Sequence, residues 1–526
     1  MIGLIDQIIL GIYFLGLFAM GYYFSKRNTD TEEYFLGRRS FSGWVIGLSL
    51  VGTSISSITF LAYPADAYKT AWLRYLPNLM LPLAVIVAIY FFLPFFRRGT
   101  TTTAYEYLED RFGPSVRVYG AVAFIVAQLA RVSMILYLVS LVLQEITGYD
   151  ASICILLSGI LVAVYTVMGG IEAVIWTDVI QTLVLFLGGV VCLFVISGYL
   201  PGGLGEIFAT ALDSGKLGFS QSGPGGIEPV SWGLTLDTKT GTMMLLIGLT
   251  AWLTEYSSNQ NTVQRFCASS SDREAGKAMI ICACLSLPVW AFFMFLGTAL
   301  WVFFQVFPTP PAMEMLDGTR KAEEILPYFI MNYLPPGLVG LVIAAALAAA
   351  MSSLDSSINA ISTVSINDLY RRHIRPGRSD THYLRTAKMI ASVSGLFMII
   401  GAVFLTEADT RTLQDTATIL TSLLGAGLLG IYVTGFFMTR GDARHIWFGI
   451  AGTLIFTGWT ILGSRDLLPA FLSVPFDLYY TGFVGNIVMF FLIYVSSSFL
   501  GRSDRNLEGL TIWTLEKNTL KEAAHE

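Results

Sequence analysis

Apolar stretches long enough to cross a lipid bilayer recur along almost the whole chain. A membrane-spanning helix needs about 20 mostly apolar residues, and thirteen stretches approach or exceed that length. They are 4–24, 43–66, 75–96, 117–146, 151–168, 174–199, 241–264, 276–306, 337–369, 386–406, 412–438, 444–463 and 478–500. Only 13% of the 526 residues are charged, whereas soluble proteins carry about 25%. The sequence therefore predicts an all-α integral membrane protein with thirteen transmembrane helices.

The distribution of Lys and Arg predicts how these spans are oriented. Basic residues concentrate in the cytoplasmic connections of membrane proteins. With the N-terminus outside, 23 of the 32 Lys and Arg residues fall on the cytoplasmic side and 8 on the outer side. We therefore expect an outer N-terminus, a cytoplasmic C-terminus and a multi-pass location in the cell inner membrane. The remaining basic residue, Arg131, lies midway along the fourth span.

Composition also excludes several functional classes. The five cysteines show no regular spacing and the four histidines lie in polar connections or the tail, so neither disulfides nor a His/Cys metal site is predicted. No nucleophile and base stand out as a pair, which argues against an enzyme. The net charge of −5, without a long basic run, argues against nucleic acid as a partner. The expected partners are the lipid bilayer and small solutes.

Spans 43–66 and 241–264 differ from the others because polar residues interrupt them. Ser and Thr crowd the first around Gly52, and a polar run at 254–261 fills the inner half of the second. Such residues are costly at membrane depth unless they face a cavity. Close helix packing is the alternative explanation, but two interruptions at matching positions are typical of the binding site of an inverted-repeat transporter.

This spacing predicts the organisation of the whole chain as two repeats of five helices. The expected parts, in chain order, are an extra helix (4–24), the first repeat (43–199), the second repeat (241–438), two extra helices (444–500) and a short cytoplasmic tail (501–526). Residues 1–500 would then form a single transmembrane transporter domain.

Span 337–369 carries small and hydroxyl-bearing residues on one helical face. Residues at i, i+3, i+4 and i+7 share a face, and here they are Ala349, Ser352, Ser353 and Ser356. Hydroxyls and freed backbone carbonyls are ligands that hard cations accept at low charge. Facing the carbonyls of Gly52 and Ile55, this row would form a sodium site, although serines on a helix more often bond to the preceding turn.

Two carboxylates, Asp178 and Asp355, also lie within the spans. A carboxylate inside a bilayer is expensive and by default marks an ion or proton path. Asp178 near Ser352 and Ser356 would complete a second cation site, with Asp355 beside it. A helix cap, or a pair with a cytoplasmic Arg, explains Asp178 equally well.

Arg131 lies too deep in its span to reach the membrane surface readily. It requires an acidic partner in the bundle, such as Glu255, or an anionic substrate whose carboxylate accepts two hydrogen bonds from the guanidinium. We favour the substrate, because Ser54, Ser56 and Thr59 would supply neighbouring hydrogen bonds.

Three motifs resemble those of the sodium:solute symporter family. They are GGIEAVIWTDVIQ (169–181), NQNTVQR (259–265) and AAAMSSLDSSINAISTVSINDLY (348–370). The resemblance extends over about residues 1–500, and it implies a leucine-transporter-like 5+5 inverted-repeat fold with Na⁺ as the coupling ion. It also implies a main sodium site made of the carbonyls of Gly52, Ile55 and Ala349 and the hydroxyls of Ser352 and Ser353.

Within that family, the stretch TSISSITF (53–60) together with Arg131 looks most like the bacterial sodium-coupled sialic acid symporters. This resemblance implies that the carboxylate of a sugar acid is held by Ser54, Ser56, Thr59 and Arg131. It further implies a second sodium site that includes Asp178, Ser352 and Ser356. Two positions depart from the pattern: Asp355 replaces a serine of that second site, and Asn78 replaces a glutamine that contacts the substrate.

The sequence therefore predicts a sodium-coupled symporter that imports a small anionic solute, such as N-acetylneuraminate, by alternating access. The expected substrate contacts are Ser54, Ser56, Thr59, Asn78, Arg131 and Glu255. A symporter of a neutral sugar or a monocarboxylate is the alternative within transport, and a membrane channel or sensor is the alternative from another class.

Overall fold

The computed structural model describes residues 3–97, 101–223, 226–406, 427–464, 467–499 and 506–515. The regular structure there is helical except for a hairpin of strands β1 (Ser220–Gly223) and β2 (Gly226–Pro229), which confirms the all-α prediction. Within these ranges nine helices are long and apolar enough to cross a membrane, and a bent pair makes a tenth span. The total of thirteen and the orientation stay predictions, since span 412–438 lies partly outside the described residues.

The first half of the chain contains the first broken span. Its helices are α1 (Leu4–Ser25), α2 (Thr31–Leu36), α3 (Gly43–Ser54), α4 (Ile58–Lys69), α5 (Trp72–Phe96), α6 (Ala104–Phe112), α7 (Pro114–Thr147), α8 (Ala151–Tyr199) and α9 (Gly203–Asp213). A short 3-10 turn, Gly37–Arg39, follows α2.

The second half supplies the remaining helices. They are α10 (Gly241–Ser258), α11 (Gln260–Ala268), α12 (Asp272–Val306), α13 (Pro310–Asp317), α14 (Ile325–Tyr333), α15 (Leu338–Ile374), α16 (Asp380–Thr406), α17 (Leu428–Phe437), α18 (Ala443–Ser464) and α19 (Thr481–Phe499). Short 3-10 turns in the connections are Ala322–Glu324, Ala470–Leu472 and Leu478–Tyr480.

Both predicted interruptions are confirmed. The axes of α3 and α4 differ by 59°, with the break at 55–57. Between α10 and α11, Asn259 has extended backbone with φ −83° and ψ 114°. A helix end leaves its last carbonyls without regular intrahelical donors, so each break makes backbone oxygens available inside the bundle.

The two spans predicted at 151–168 and 174–199 form one element, α8, with a single interruption at Gly170. Its φ of 61° and ψ of −167° are not helical, and they lie in a region that favours glycine. A Cβ atom there would also lie 2.8 Å from the ring of Tyr34. The predicted boundary is therefore correct in position, but it is a kink and not a loop.

Helix α15 forms the centre of the bundle. It packs against α1, α3, α7 and α8, and 89% of its apolar stretch is buried. A helix that is buried on all sides reads as apolar all round, so the hydroxyl and carboxyl groups in its middle must find partners within the protein.

Candidate substrate and cation sites

The end of α3 meets α15 through two serine hydroxyls. Ser352 Oγ donates to the carbonyl oxygen of Gly52 at 2.9 Å and lies 3.3 Å from that of Ala349. Ser353 Oγ donates to the carbonyl oxygen of Thr53 at 3.2 Å. Both accepting carbonyls of α3 belong to its last turn. The structure thus brings together Gly52, Ala349 and Ser352, three of the five residues predicted for the main sodium site.

The other two predicted ligands lie close by in the chain. Ser353 is bonded to Thr53, as described, and Ile55 follows the end of α3 with extended backbone, φ −103° and ψ 100°. Among the described residues, no group of three His, Cys, Asp or Glu side chains could hold a metal ion. A cation at this place would therefore be held by neutral hydroxyl and carbonyl oxygens, which suits a singly charged ion.

The predicted second cation site contains a guanidinium. Arg265 Nη2 donates to Asp178 Oδ2 and to Ser356 Oγ, both at 2.7 Å. Arg265 Nε donates to Ser49 Oγ at 2.8 Å, and Ser49 Oγ donates in turn to Asp178 Oδ2 at 2.6 Å. The side chains of Arg265 and Asp178 are 1% and 0% exposed. Such a pair is strongly held, since removing one partner leaves an uncompensated buried charge.

The second carboxylate of this region, Asp355, is hydrogen-bonded towards α8. Its Oδ2 accepts from Tyr165 Oη at 2.9 Å and from Thr177 Oγ1 at 3.4 Å, and its Oδ1 accepts from the backbone N–H of Ser356 at 2.6 Å. Asp178 Oδ1 is buried and has no hydrogen-bond partner among the described residues. The structure therefore groups Asp178 and Ser356 around the guanidinium of Arg265, and Asp178 Oδ1 remains available to a ligand. The second sodium site stays a prediction.

A cavity of about 230 Å³ lies between α7, α10, α17 and α19. Its polar lining consists of Gln128, Arg131, Thr250, Thr254, Glu255, Ser258, Asn259, Tyr479 and Asn486. Arg131 is half-buried and makes no hydrogen bond or ion pair with the described residues. A guanidinium in a largely apolar bundle is costly without a partner.

Glu255 lines the same cavity but does not pair with Arg131. Its Oε2 accepts from Asn259 Nδ2 and its Oε1 accepts from Thr262 Oγ1, both at 2.6 Å. The Glu255 carboxylate thus forms hydrogen bonds across the break between α10 and α11. The ion pair of Arg131 with Glu255, which the sequence left open as the alternative, is not formed, and no other described carboxylate takes its place.

One wall of the cavity is a row of hydroxyls along α10. Thr250, Thr254 and Ser258 each donate their hydroxyl hydrogen to the carbonyl four residues earlier, at 2.9, 2.7 and 2.9 Å. Because a hydroxyl has one hydrogen and two lone pairs, these groups remain available to a ligand as acceptors. This wall is suited to a ligand that carries O–H or N–H donors.

Four other predicted substrate contacts do not line this cavity, namely Ser54, Ser56, Thr59 and Asn78. Ser56 Oγ accepts from the N–H of Ile58 at 3.2 Å, and so lies at the start of α4, the second half of the broken span. Asn78 Nδ2 donates to Tyr63 Oη at 3.0 Å. Their role in substrate binding stays a prediction.

Two residues of these sites were missed by sequence reasoning. Arg265 falls among the basic residues assigned to the cytoplasmic side, yet it is buried against Asp178. Gln128, one helical turn from Arg131, lines the cavity. The available signals were the position of Arg265 in a polar segment just after a break and the i, i+3 spacing of Gln128 and Arg131.

Comparison with known proteins agrees with this arrangement. The family model described as the sodium:solute symporter family matches residues 34–451. A sodium/sialic acid symporter of Proteus mirabilis (strain HI4320) is 34% identical over 457 residues, which cover 86% of this chain and 88% of that protein. A second sodium/sialic acid symporter, of Aliivibrio fischeri (strain ATCC 700601 / ES114), is 29% identical over 497 residues, which cover 94% and 93%.

The fold is also similar to a solved structure. The substrate-bound outward-open state of a Na⁺-coupled sialic acid symporter superimposes with a TM-score of 0.85 at 30% identity. The match covers 96% of this chain and 100% of the other. The sequence resemblance is thus confirmed over most of the chain, with Na⁺ as the coupling ion. The chain belongs to the sodium:solute symporter family, and it is a multi-pass membrane transporter and not an enzyme.

Proposed function

We propose that this protein imports a sialic acid, such as N-acetylneuraminate, together with sodium across the cell inner membrane. The observation that carries the proposal is the guanidinium of Arg131 on the cavity wall, which no described residue pairs with. A carboxylate matches a guanidinium with two parallel hydrogen bonds. An anionic substrate therefore supplies the partner that the described chain does not.

The hydroxyl row of α10 narrows the class of anion. Thr250, Thr254 and Ser258 offer acceptors and no donors, because their hydrogens are already given to the helix. Iodide and simple monocarboxylates carry few or no donors for this wall. A sugar acid carries a carboxylate for Arg131 and several hydroxyls for the acceptor wall, so it satisfies both at once.

The coupling ions would bind beside the first break. The proposed main site is formed by Gly52, Ile55, Ala349, Ser352 and Ser353. The proposed second site is formed by Asp178, Ser352, Asp355 and Ser356. In support of the first, Ser352 Oγ already contacts two of the carbonyls concerned; in support of the second, Asp178 Oδ1 is buried without a partner.

The proposed architecture is the leucine-transporter-like 5+5 inverted repeat, with one extra helix before it and two after, an outer N-terminus and a cytoplasmic C-terminus. The broken spans α3/α4 and α10/α11 occupy matching positions in the two repeats, as this architecture requires. We retain Ser54, Ser56, Thr59 and Asn78 as proposed substrate contacts, to be reached as the outer half-helix α4 moves during alternating access.

Uptake by proteoliposomes tests the substrate. Purified protein is reconstituted, and radiolabelled N-acetylneuraminate uptake is measured with an inward sodium gradient and with choline in place of sodium. We expect saturable uptake that requires sodium, and competition by sialic acids but not by glucose, lactate or iodide. Equal competition by lactate or by a neutral sugar would contradict the sialic acid assignment, and non-saturating flux would indicate a channel.

A further inference from the structure

A chain of hydrogen bonds connects the cavity wall with the Arg265–Asp178 pair. Ser357 Oγ, on α15, donates to Gln128 Oε1 of the cavity wall at 3.0 Å. Asn261 Nδ2, on α11, lies 3.5 Å from Ser357 Oγ, and Arg265 Nη1 donates to the carbonyl oxygen of Asn261 at 2.7 Å. Arg265 in turn holds Asp178. Four helices, α7, α15, α11 and α8, thus contribute to one continuous connection.

The side chains that form this hydrogen-bonded connection are shielded from water. Gln128 is 5% exposed, and Ser357 and Asn261 are each 1% exposed. A hydrogen bond lost at such a place is not readily replaced by water, so the groups must satisfy one another. Any change of partner at one end therefore acts on the next group along.

The hydroxyl of Ser357 gives the chain two possible directions. It lies between two carboxamides and has one hydrogen, which it now donates to Gln128. Asn261 Oδ1 is buried, and no residue in the described part of the chain is hydrogen-bonded to it. If the carboxamides of Asn261 and Gln128 each turn by half a rotation, Asn261 Oδ1 can accept from Ser357, whose lone pair then accepts from Gln128 Nε2.

The two directions differ at both ends of the connection. In the observed direction Gln128 Oε1 is occupied and its amide hydrogens are available to a ligand in the cavity. In the reverse direction the oxygen becomes available and one hydrogen is committed. At the Arg265 end of the connection, the side chain that turns is that of Asn261. The backbone carbonyl of the same residue accepts a hydrogen bond from Arg265.

Coupling between two sites requires an element with two arrangements that both sites bias. We propose that Ser357 is such a positioning residue. Through it, binding of substrate in the cavity at Gln128 changes the affinity for the cation at the Arg265–Asp178 cluster. This inference rests on the proposed function, because it takes a sugar acid as the occupant of the cavity and sodium as the ion at the cluster. Ser357 itself touches neither.

The test measures coupling and not affinity alone. The dissociation constant of N-acetylneuraminate is measured on the purified full-length protein at saturating and at limiting sodium, and the ratio of the two values is compared between variants. We expect Ser357→Ala to lower this ratio by about fivefold or more, the usual lower range for coupled sites, and Ser357→Thr to preserve it. Sodium affinity with and without substrate must change by the same factor, since coupling is reciprocal.

Ser362→Ala is the matched control. Ser362 is also buried on α15 and also donates one hydrogen bond, to the carbonyl oxygen of Ala387 at 2.8 Å on the neighbouring α16. A merely structural loss lowers stability in both variants and leaves the ratio unchanged. If Ser357→Ala does not fold, Ser357→Val, which lacks the hydroxyl but matches the shape of Ser357→Thr, carries the same expectation.

The outcomes separate this inference from the function on which it rests. A wild-type protein whose affinity for N-acetylneuraminate does not depend on sodium would overturn the proposed function. A wild-type protein with sodium-dependent affinity, together with a Ser357→Ala variant that retains the full ratio, would overturn the role of Ser357 alone.

Discussion

Arg131 and Arg265 are both deep in the helical bundle, but their surroundings differ sharply. Arg265 is 1% exposed and gives hydrogen bonds to Asp178, Ser356, Ser49 and a backbone carbonyl. Arg131 is half-buried, lines a cavity and has no partner in the described chain. A buried cation must be compensated. The protein itself compensates Arg265, whereas no described residue compensates Arg131.

The comparison teaches that burial alone does not distinguish a structural charge from a functional one. What distinguishes them is the number of hydrogen bonds that the charged group already makes within the protein. A saturated guanidinium should matter mainly for folding, whereas an unsaturated one should matter mainly for binding. The predictions below, in order of decreasing effect, test that distinction.

The largest effect is expected on stability from Arg265→Ala. This substitution leaves Asp178 buried without its counter-ion, and breaking such a pair typically costs about 3–5 kcal/mol in free energy of unfolding. We expect a strongly lowered thermal midpoint or loss of folded protein, measured by thermal unfolding in detergent.

A double variant shows whether the pair is responsible. Adding Asp178→Asn to Arg265→Ala removes the uncompensated charge, so the double variant should be more stable than Arg265→Ala alone. A single variant as stable as the wild type would show that Arg265 is not the structural charge of this comparison.

The second effect is expected on transport from Arg131→Ala. Arg131 has no partner among the described residues that its loss would leave unpaired, so the thermal midpoint should stay within a degree or two of the wild type (surface-like substitutions change stability by about 0.5 kcal/mol or less). Uptake of N-acetylneuraminate at low concentration should fall by about 30-fold or more, the loss expected when a desolvated charge partner is removed.

Arg131→Lys is the informative control, because it keeps the charge but not the two-pronged donor geometry. We expect intermediate uptake. Unchanged uptake in Arg131→Ala would mean that the carboxylate binds elsewhere, and a large loss of stability would place Arg131 in the same class as Arg265.

The two breaks were predictable from the sequence, whereas the contacts of Arg265 were not. Polar residues around Gly52 and at 254–261 stand out because nothing in an apolar span explains them, and both breaks are where those residues lie. Arg265 instead sits in a short polar helix that resembles a cytoplasmic connection. Its partner Asp178 is 87 residues away, and no local pattern reports a contact of that range.

The rotation of each helix limits what spacing can predict about a site. Ala349 and Ser352 were placed on one face by their spacing, and they do meet around Ser352 Oγ. The facing residues across the break were only partly predictable: the carbonyl of Gly52 accepts from Ser352 as the spacing suggested, whereas Ser353 donates to the carbonyl of Thr53, which was not among the expected ligands. One residue turns a helix by about 100°, so a small error in phase changes which group faces its neighbour.

The third effect is expected on the sodium dependence of uptake, because the proposed main sodium site has only uncharged ligands. Ser352→Ala with Ser353→Ala removes two hydroxyl ligands of the proposed main sodium site, each of which now contacts a carbonyl of α3. We expect the sodium concentration for half-maximal uptake to rise about tenfold (the loss of two hydrogen-bonding groups at about 0.5–1.5 kcal/mol each). Sodium activation is measured in proteoliposomes, with Ser362→Ala as the control, and an unchanged sodium dependence would argue against this site.

Lys216 extends the comparison to a buried cation that is held by carbonyls without a carboxylate. Its Nζ donates to the carbonyl oxygens of Ala67 and Tyr68 in the last turn of α4, at 3.2 and 2.6 Å, and lies 4.9 Å from the ring centre of Trp301. Burial lowers the pKa of Lys216 from 10.5 to about 7. Two carbonyls and an aromatic ring therefore do not keep the pKa of Lys216 at its usual value.

The pH dependence of stability should report this difference, with the smallest effect of the series. Between about pH 7 and pH 10 the unfolded chain keeps a proton on Lys216 that the folded protein has released, so the contribution of this group to stability rises with pH across that window. We expect the thermal midpoint of the wild type, relative to Lys216→Met, to increase from pH 7 to pH 10, with Lys69→Met as a control from the same outer region. Parallel midpoint curves for wild type and Lys216→Met would show that the pKa of Lys216 is not lowered, and hence that two carbonyls and an aromatic ring suffice to hold a buried ammonium.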